Sequence, residues 1–499
     1  MQKSKTFNEA VIQLNTLQSN SEAIQHWTNF RTTNKTESQS YVLQTMNKYA
    51  NQLSLDISSL SRRSIHVTGT KGKGSTCAMT ESIIRNHGFK TGLYTSPHLI
   101  SVRERIKLNG ESISEQSFSD YFWEVYDKLS SLNDPFKISY FWFLTIMSFY
   151  IFEKEKVDCA IIEVGIGGRT DCTNILDFPV ACGIATIDYD HMTVLGNTLQ
   201  QIAYEKSGIF KRGSLAVTVP QVPEPHKQII ERSIELGSPL YITRPWANYE
   251  TLSGPISIPE GDFQKTNASL AVALSAIWLQ KRGNVKLGVD LLDASSEISS
   301  LPPLFPVFQV SDVFKKGLQE TQWPGRAQKI SQFCEYPNLH LFLDGAHTPT
   351  SISAAKDWFR SATSKHKGPQ IHLLCFNNKT GKPSEKLLSP LVEYSQFRPF
   401  QKVFFVNSQL KQLNYSKVKV IEEDSKNQLE VLTKIWRDTE AKDPTSSPID
   451  SLARFETVDD AFEELKGVAR DNKDKEVLVF VTGSLYLVGA FLELLDFKF

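Results

Sequence analysis

Residues 64–76 have the sequence SIHVTGTKGKGST, which is the most informative segment for the fold. Ser64–Thr68 is typical of a buried strand, and the spacing of apolar residues predicts a helix from Ser75 to His87. The loop between them is Gly69-Thr70-Lys71-Gly72-Lys73-Gly74-Ser75-Thr76. Its glycines allow backbone amides to wrap a phosphate, the start of the following helix favours an anion, and Lys73 can neutralise phosphate oxygens. Strand, glycine loop and helix in this order predict a phosphate-binding site.

The loop departs from the common P-loop pattern in one respect. In that pattern the lysine directly precedes Ser or Thr, whereas here Gly74 separates Lys73 from Ser75. An ordinary flexible glycine turn is the alternative. The strand and helix on either side favour the phosphate site.

Strands and helices alternate along the rest of the chain. Strands are predicted at Cys159–Ile162 and Ala181–Ile187, and a helix from Leu199 to Ile209. This alternation is typical of an α/β fold whose parallel sheet is covered on both faces. The Ser- and Pro-rich segment at about 293–306 predicts a linker that ends a first domain, 1–300.

A second, smaller Rossmann-like α/β domain is expected over 307–499. Its predicted elements are strands at His340–Leu343, Ile371–Phe376, Val403–Val406 and Val477–Val481, and helices at Thr350–Ala362 and near Lys426–Asp438.

Composition restricts the function. The chain has 55 Lys and Arg against 55 Asp and Glu, which argues against a protein that coats nucleic acid or an anionic membrane. The first residues lack the apolar core of a secretory signal, so a cytoplasmic protein is expected. The apolar stretches Tyr140–Phe152 and Val477–Leu495 are respectively too short and too interrupted to span a membrane. The six cysteines form no CxxC pair, which indicates neither a zinc site nor a disulfide framework.

Polar residues follow several predicted strands. Glu163 ends one apolar strand and His191 follows the next, and ligands of open α/β sheets bind at the carboxyl ends of strands. Arg326 offers a guanidinium that can fork to phosphate, although it could equally stack on Trp323. Asp344 lies at another strand end, although it could equally cap the helix that follows. Lys206, taken alone, has the pattern of an ordinary surface lysine.

Together the motifs resemble the ATP-dependent amide ligases that include Mur ligases and folate glutamate ligases, and most closely the eukaryotic folylpolyglutamate synthase family. The resemblance runs from about Tyr41 to the C-terminus. The matching blocks, in the family's order, are HVTGTKGKGST (66–76), TGLYTSPHLISVRERIKLNG (91–110), IIEVGIGGRTDCTN (161–174), DHMTVLG (190–196), EKSGIFK (205–211), QKTNASLA (264–271), WPGRAQ (323–328) and LDGAHT (343–348).

The resemblance implies an activity. MgATP phosphorylates the terminal carboxylate of a folate, and the amine of L-glutamate attacks the acyl phosphate. The products are a γ-linked glutamyl amide, ADP and phosphate. The implied substrates are tetrahydrofolate and its polyglutamates, with no nucleic-acid partner and no membrane span. We expect a monomer in the cytoplasm, with an additional mitochondrial pool.

The resemblance also implies site residues. Gly69, Thr70, Lys71, Gly72, Lys73, Gly74 and Ser75 would hold the ATP phosphates. Ser96, Glu163 and His191 would bind Mg²⁺, and a carbamylated Lys206 would help to bind a second Mg²⁺. Asn267, Arg326 and Asp344 match positions that contact ATP, with Arg326 contributed by the second domain. Lys73, Lys206 and His347 match catalytic positions, His347 near the incoming glutamate. The resemblance also implies a bound monovalent cation such as K⁺.

Two positions depart from the family pattern. Asn377–Lys382 is basic where relatives carry acidic residues, and Asp262 stands where relatives often carry histidine. The resemblance also raises the hypothesis that the two domains close over the segment near 299–306 to assemble the site.

Three other functions stay open. Dihydrofolate synthase, which adds the first glutamate to dihydropteroate, shares the ATP and metal motifs, but the chain length and the 91–110 block favour the polyglutamate enzyme. Mur ligases are a weaker alternative. A P-loop switch that hydrolyses nucleotide slowly is the third, and Arg326 and Asp344 argue against it.

Overall fold

The computed structural model describes residues 6–18, 35–132, 138–293, 296, 298–331, 333–379, 381–411, 423–441 and 451–497. The chain forms two compact units. The first unit comprises Met1–His98, Val102–Pro259 and Phe263–Gln322, and the second comprises Leu99–Ser101, Glu260–Asp262 and Trp323–Phe499.

The division between the units falls later than the Ser- and Pro-rich composition predicts. The described part of 293–306 belongs to the first unit, and the main break lies between Gln322 and Trp323. Packing explains the difference, since Phe305 and Phe308 are buried in the core of the first unit and Leu304 forms a bridge with Ile242. Residues 294, 295 and 297 of the predicted linker lie outside the described residues.

The first unit contains an eight-stranded sheet in the order β4-β3-β2-β5-β1-β6-β7-β8. The strands are β1 (Ser64–Thr68), β2 (Thr91–Tyr94), β3 (Ile106–Leu108), β4 (Glu111–Ser112), β5 (Cys159–Glu163), β6 (Ala181–Ile184), β7 (Leu215–Thr218) and β8 (Leu240–Ile242). Neighbouring strands are parallel except for the pairs β2–β3 and β3–β4, which are antiparallel. Because β1 lies between the parallel strands β5 and β6, the residues that follow these three strands share one edge.

Helices cover both faces of this sheet. They are α1 (Phe7–Asn15), α2 (Lys35–Gln52), α3 (Ile57–Ser61), α4 (Lys73–Asn86), α5 (Glu115–Ser130), α6 (Tyr140–Lys154), α7 (Met192–Leu195), α8 (Leu199–Ser207), α9 (Pro223–Leu236), α10 (Trp246–Ser253), α11 (Asp262–Lys281) and α12 (Asp312–Gln319). Successive residues of β5 point to opposite faces. Accordingly Ile161 packs in the core that contains α4 and α11, whereas Ile162 packs in the core that contains α5 and α6. The predicted α/β fold with a two-sided sheet is confirmed.

The second unit contains a six-stranded sheet in the order β13-β12-β11-β14-β10-β9, parallel except for β9. The strands are β9 (Gln328–Ile330), β10 (Leu339–Leu343), β11 (Gln370–Phe376), β12 (Lys402–Val406), β13 (Leu452–Phe455) and β14 (Glu476–Thr482). The helices are α13 (Pro349–Thr363), α14 (Ser384–Phe397), α15 (Glu423–Glu440), α16 (Val458–Asp471) and α17 (Leu485–Leu494). The predicted strands and helices of this half are all present.

The two apolar stretches are ordinary buried elements. Tyr140–Phe152 lies in α6, and Val477–Leu495 spans β14 and α17. Among the described residues, no helix has the length and apolar character needed to cross a membrane.

One predicted strand is shorter than expected. The sequence predicts a strand over Ala181–Ile187, but β6 ends at Ile184. Beyond it the chain leaves the sheet, and the Thr186 carbonyl accepts hydrogen bonds from the amides of Thr70 and Lys71. The apolar run therefore continues into a segment that supports the glycine loop.

Candidate active site

The glycine loop joins β1 to α4. Helix α4 begins at Lys73, two residues earlier than predicted, and Gly72 caps it in a left-handed conformation with φ of 85°. A Cβ atom on Gly72 would lie 2.0 Å from the Asn267 Oδ1 atom, so a side chain does not fit there. The first turn of a helix leaves its amides without intrahelical acceptors. Lys73, Gly74 and Ser75 thus offer amides at the carboxyl edge of the sheet.

The segment after β6 holds this loop in place. The amides of Thr70 and Lys71 donate to the Thr186 carbonyl at 2.8 and 3.1 Å. The Thr70 hydroxyl donates to the Asp188 carbonyl at 3.0 Å, and the Lys71 ammonium pairs with Asp190 at 3.2 Å. Thr70 and Lys71 therefore shape the loop, and the amides that remain for an anion come from the residues after them.

A buried carboxylate lies beside Lys73. Glu163 is 3% exposed at the end of β5, and its Oε1 atom lies 3.8 Å from the Lys73 ammonium. Its Oε2 atom accepts a hydrogen bond of 2.9 Å from the Ser96 amide. Two of the predicted metal ligands, Ser96 and Glu163, are thus neighbours. Their hydroxyl and carboxylate oxygens are the donors that Mg²⁺ prefers.

His191, the third predicted metal ligand, is an exposed residue at the start of α7. It has a left-handed conformation with φ of 50° and directly follows Asp190, the partner of Lys71. It thus belongs to the loop after β6, on the same edge of the sheet as the glycine loop.

Lys206 is buried, which the pattern of its helix alone did not predict. The side chain is 4% exposed in the last turn of α8, and its ammonium donates to the Gly69 carbonyl at 2.7 Å. Burial, followed by the nearby charges of Lys73 and Lys71, lowers the pKa of Lys206 well below its usual value, although Asp190 opposes the shift. The structure therefore places an amine of reduced basicity directly behind the glycine loop.

Asn267 approaches the same loop from α11. Its Nδ2 atom donates to the Gln264 Oε1 atom at 2.9 Å, and both side chains are buried. Its Oδ1 atom faces Gly72, since it is the atom that a Cβ on Gly72 would meet at 2.0 Å. Asp262, one of the two departures from the family pattern, is exposed at the first residue of α11.

One ion pair and one hydrogen-bonded carboxylate were not singled out from the sequence. Arg169 pairs with Glu205 at 3.0 Å, both side chains are buried, and Glu205 directly precedes Lys206 in the chain. Asp171 accepts hydrogen bonds from the Ile166 amide at 3.0 Å and from the Thr173 hydroxyl at 2.7 Å. Arg169, Asp171 and Glu205 all fall within the sequence blocks 161–174 and 205–211. Membership of these blocks was the one sequence feature that could have pointed to them.

The candidate residues of the second unit form their own cluster. Asp344 follows β10, and its carboxylate accepts hydrogen bonds from the amides of Ala327 at 2.8 Å and Ala346 at 2.9 Å. Burial raises the pKa of Asp344, while the Arg326 charge and these two amides oppose the shift. A Cβ atom on Gly345 would lie 2.4 Å from Arg326 Nη1. The loop after β10 therefore packs closely against the segment that carries Arg326.

Two structural details complete this cluster. The His347 Nδ1 atom lies 2.9 Å from the Gly345 carbonyl. The helix that follows is capped by Thr348 and not by Asp344, so the capping role that the sequence left open for the aspartate is wrong. The cluster organises the loop that carries Arg326.

The basic segment after β11 is partly built into the second unit. The Ser484 hydroxyl donates to Asn377 Oδ1 at 2.6 Å, and Asn378 Nδ2 donates to the Lys382 carbonyl at 2.7 Å. Thr380 of this segment lies outside the described residues.

A mostly parallel sheet with a phosphate loop after its central strand, a buried carboxylate beside the loop lysine and a second α/β unit defines a P-loop nucleotide-binding enzyme. Residues 329–494 match the family model described as "Dihydrofolate synthetase, C-terminal domain". The chain is 40% identical over 401 residues to mitochondrial folylpolyglutamate synthase of Bos taurus, which covers 78% of this chain and 67% of the relative. It is 36% identical over 521 residues to folylpolyglutamate synthase of Candida albicans, which covers 99% of this chain and 96% of the relative.

The chain therefore belongs to the folylpolyglutamate synthase family, whose members are ligases. A solved structure shares the fold with a TM-score of 0.69 at 22% identity, over 91% of this chain and 95% of the other. It is Mycobacterium tuberculosis folylpolyglutamate synthase complexed with ADP and AMPPCP. The family resemblance predicted from the motifs is confirmed.

Proposed function

We propose that this chain adds L-glutamate, in γ-linkage and at the expense of ATP, to tetrahydrofolate and its polyglutamates. The observation that carries the proposal is the phosphate loop with Lys73 3.8 Å from the buried Glu163. A cation and a carboxylate at the carboxyl edge of a parallel sheet suit a nucleotide with its metal. The identity of the two substrates, folate and glutamate, is inferred from the names of the relatives.

The proposed reaction has two steps. The terminal carboxylate of the folate attacks the γ-phosphorus of ATP, and ADP leaves as the acyl phosphate forms. The amine of glutamate then attacks the acyl carbon, phosphate leaves, and the amine loses a proton as the amide forms. The first-turn amides of α4 and Lys73 stabilise the negative charge that develops on the transferred phosphoryl group.

Mg²⁺ would be held by Ser96, Glu163 and His191. Bound there, it would neutralise phosphate oxygens of the nucleotide. The oxygen donors and the burial of Glu163 fit this ion. A monovalent cation such as K⁺ remains part of the proposal on the family resemblance alone.

Lys206 is proposed to be carbamylated. A neutral amine adds to carbon dioxide and loses a proton, which gives an N-carboxylate anion. The lowered pKa of Lys206 favours the neutral amine, and the carbamate nitrogen would still carry a hydrogen for the Gly69 carbonyl. NMR of the protein in ¹³C-labelled bicarbonate tests the modification. A carbamate signal in the native chain that persists in Lys206→Met would refute it.

Roles are also proposed for the candidate residues outside the loop. Asn267, Arg326 and Asp344 are assigned to ATP, and His347 to the incoming glutamate. Arg326 can fork to phosphate oxygens, and Asp344 orders the loop that carries it. The assignment to the cytoplasm with a mitochondrial pool, and to a monomer, belongs to the same proposal.

Dihydrofolate synthase is the second candidate, because the matching family model carries that description. The test is mass spectrometry of products formed from MgATP and glutamate with either tetrahydrofolate or dihydropteroate. A ladder of additions on tetrahydrofolate supports the proposed function. A single addition on dihydropteroate alone would replace it with the second candidate.

A further inference from the structure

Two histidines and a glutamate meet in the second unit at the amino ends of β10 and β14. Asp344 follows the opposite, carboxyl end of β10. His340 lies near the start of β10, Glu476 is the first residue of β14, and His366 follows α13. Their ligand atoms all lie within 4.8 Å of one another. His340 Nε2 is 2.5 Å from Glu476 Oε2, and His366 Nδ1 is 3.2 Å from the same oxygen.

The register of the sheet explains this meeting. His340 pairs with Leu478 on the neighbouring parallel strand, so Glu476, two residues earlier, points to the same face. The His340 and His366 rings contact each other edge to face with centroids 4.7 Å apart. The side chains of the three residues are thus held together by two strands and by ring packing.

We propose that His340, His366 and Glu476 bind a divalent transition-metal ion of the zinc class. Two imidazoles and one carboxylate form a ligand set that zinc uses in proteins, with water in the fourth position. A tetrahedral ion with bonds of about 2.0 to 2.1 Å separates its ligand atoms by about 3.3 Å. The 2.5 and 3.2 Å separations therefore need side-chain shifts of less than about one ångström.

His340 is the most buried of the three proposed ligand residues. The ring is 8% exposed and its Nδ1 atom is buried with no hydrogen-bond partner. Burial lowers the pKa of His340, against the opposing effect of Glu476.

Lys329 competes with the ion. Its ammonium lies 2.9 Å from His366 Nε2, which fixes the hydrogen of that ring on Nδ1, the atom that faces Glu476. Binding of a metal at Nδ1 requires that hydrogen to move to Nε2, so Lys329 must swing away. Lys329 is exposed and has room to do so.

The site is separate from the candidate active site. Asp344 follows the carboxyl end of β10, whereas His340 is near its amino end, about 13 Å away at the rise of a strand. The bound ion would tie β10 and β14 to the segment after α13. We therefore expect a stabilising role in the second unit.

Cobalt titration of the full chain tests the proposal, because four-coordinate Co²⁺ absorbs in the visible range. The titration uses a Cys334→Ser background, which removes the exposed thiol, and excess Mg²⁺ to occupy oxygen-ligand sites. We expect one Co²⁺ per chain, displaced by Zn²⁺. Binding should be at least tenfold weaker in Glu476→Gln and in His366→Gln, and tighter in Lys329→Met. The control His226→Gln alters a histidine on α9 and should bind as the parent does.

Thermal unfolding supplies a second measurement. Zn²⁺ should raise the unfolding temperature of the parent and not that of Glu476→Gln, and if that variant does not fold, His366→Gln decides. No visible band from the parent, or equal Co²⁺ affinity in the parent and both ligand variants, would overturn the proposal. Ligase activity is not needed for either measurement, so failure here leaves the proposed function untouched.

Discussion

Replacing Gly72 with alanine tests the geometry of the phosphate loop. Two effects add at this position. The left-handed conformation costs an L-residue about 1 to 2 kcal/mol. The new methyl group would also lie 2.0 Å from Asn267 Oδ1, so Asn267 must move and lose its 2.9 Å hydrogen bond to Gln264. Leaving such buried groups unpaired costs about 1 to 3 kcal/mol more.

A matched control separates the two effects. Gly88 has φ of 88°, almost that of Gly72, and a Cβ atom there meets nothing within 4 Å. Gly88→Ala therefore measures the backbone cost alone. Denaturant unfolding should show Gly72→Ala to be destabilised by about 1 to 3 kcal/mol more than Gly88→Ala. Titration with ADP should show weaker binding only in Gly72→Ala.

A double substitution tests the cause of the extra loss. Asn267→Ala removes the atom that Gly72→Ala would meet, so the double variant should be less destabilised than the sum of the two single variants. Equal stability of Gly72→Ala and Gly88→Ala would refute the close approach of Gly72 to Asn267. Strict additivity in the double variant would refute it as well.

The remaining predictions concern single side chains. Glu163→Gln keeps an acceptor for the Ser96 amide but loses the charge, so kcat should fall at least about 100-fold while ADP binding without Mg²⁺ persists; an unchanged kcat would contradict the metal role. Lys206→Met removes the donor to the Gly69 carbonyl, so we expect weaker ADP binding in a calorimetric titration together with lost turnover. Burial lowers the pKa of His66 to about 3 from 6.5, so the unfolded chain binds more protons between these values and stability falls as pH decreases through that window. At pH 5 the resulting loss of unfolding free energy is about 2 kcal/mol. The denaturant midpoint of His66→Gln should therefore depend less on pH than that of the parent. Asp344→Asn can satisfy only one of its two amide donors with its remaining oxygen, so the second unit should lose about 1 to 3 kcal/mol, measured by unfolding; no loss would mean that these hydrogen bonds do not hold the Arg326 loop.

Most of the fold could be predicted from the sequence because its signals are local. The strand–loop–helix order at 64–76 and the apolar runs of β5, β10, β11 and β14 depend on near neighbours in the chain. The division between the two units could not be predicted in this way. Composition pointed to about 293–306, but burial of Phe305 and Phe308 against distant residues keeps that segment with the first unit.

Some features of the candidate site could likewise be predicted from the sequence, and others could not. The glycine loop could be predicted from the sequence, since consecutive residues encode its glycines, its lysine and the start of its helix, and the motif blocks indicated the family. No local pattern indicated that Lys206 is buried against Gly69, that Asn267 excludes a side chain from Gly72, or that His340, His366 and Glu476 meet. The reason is that burial and contact depend on residues far apart in the chain, whose approach is fixed by the packing of whole strands and helices and not by any local pattern.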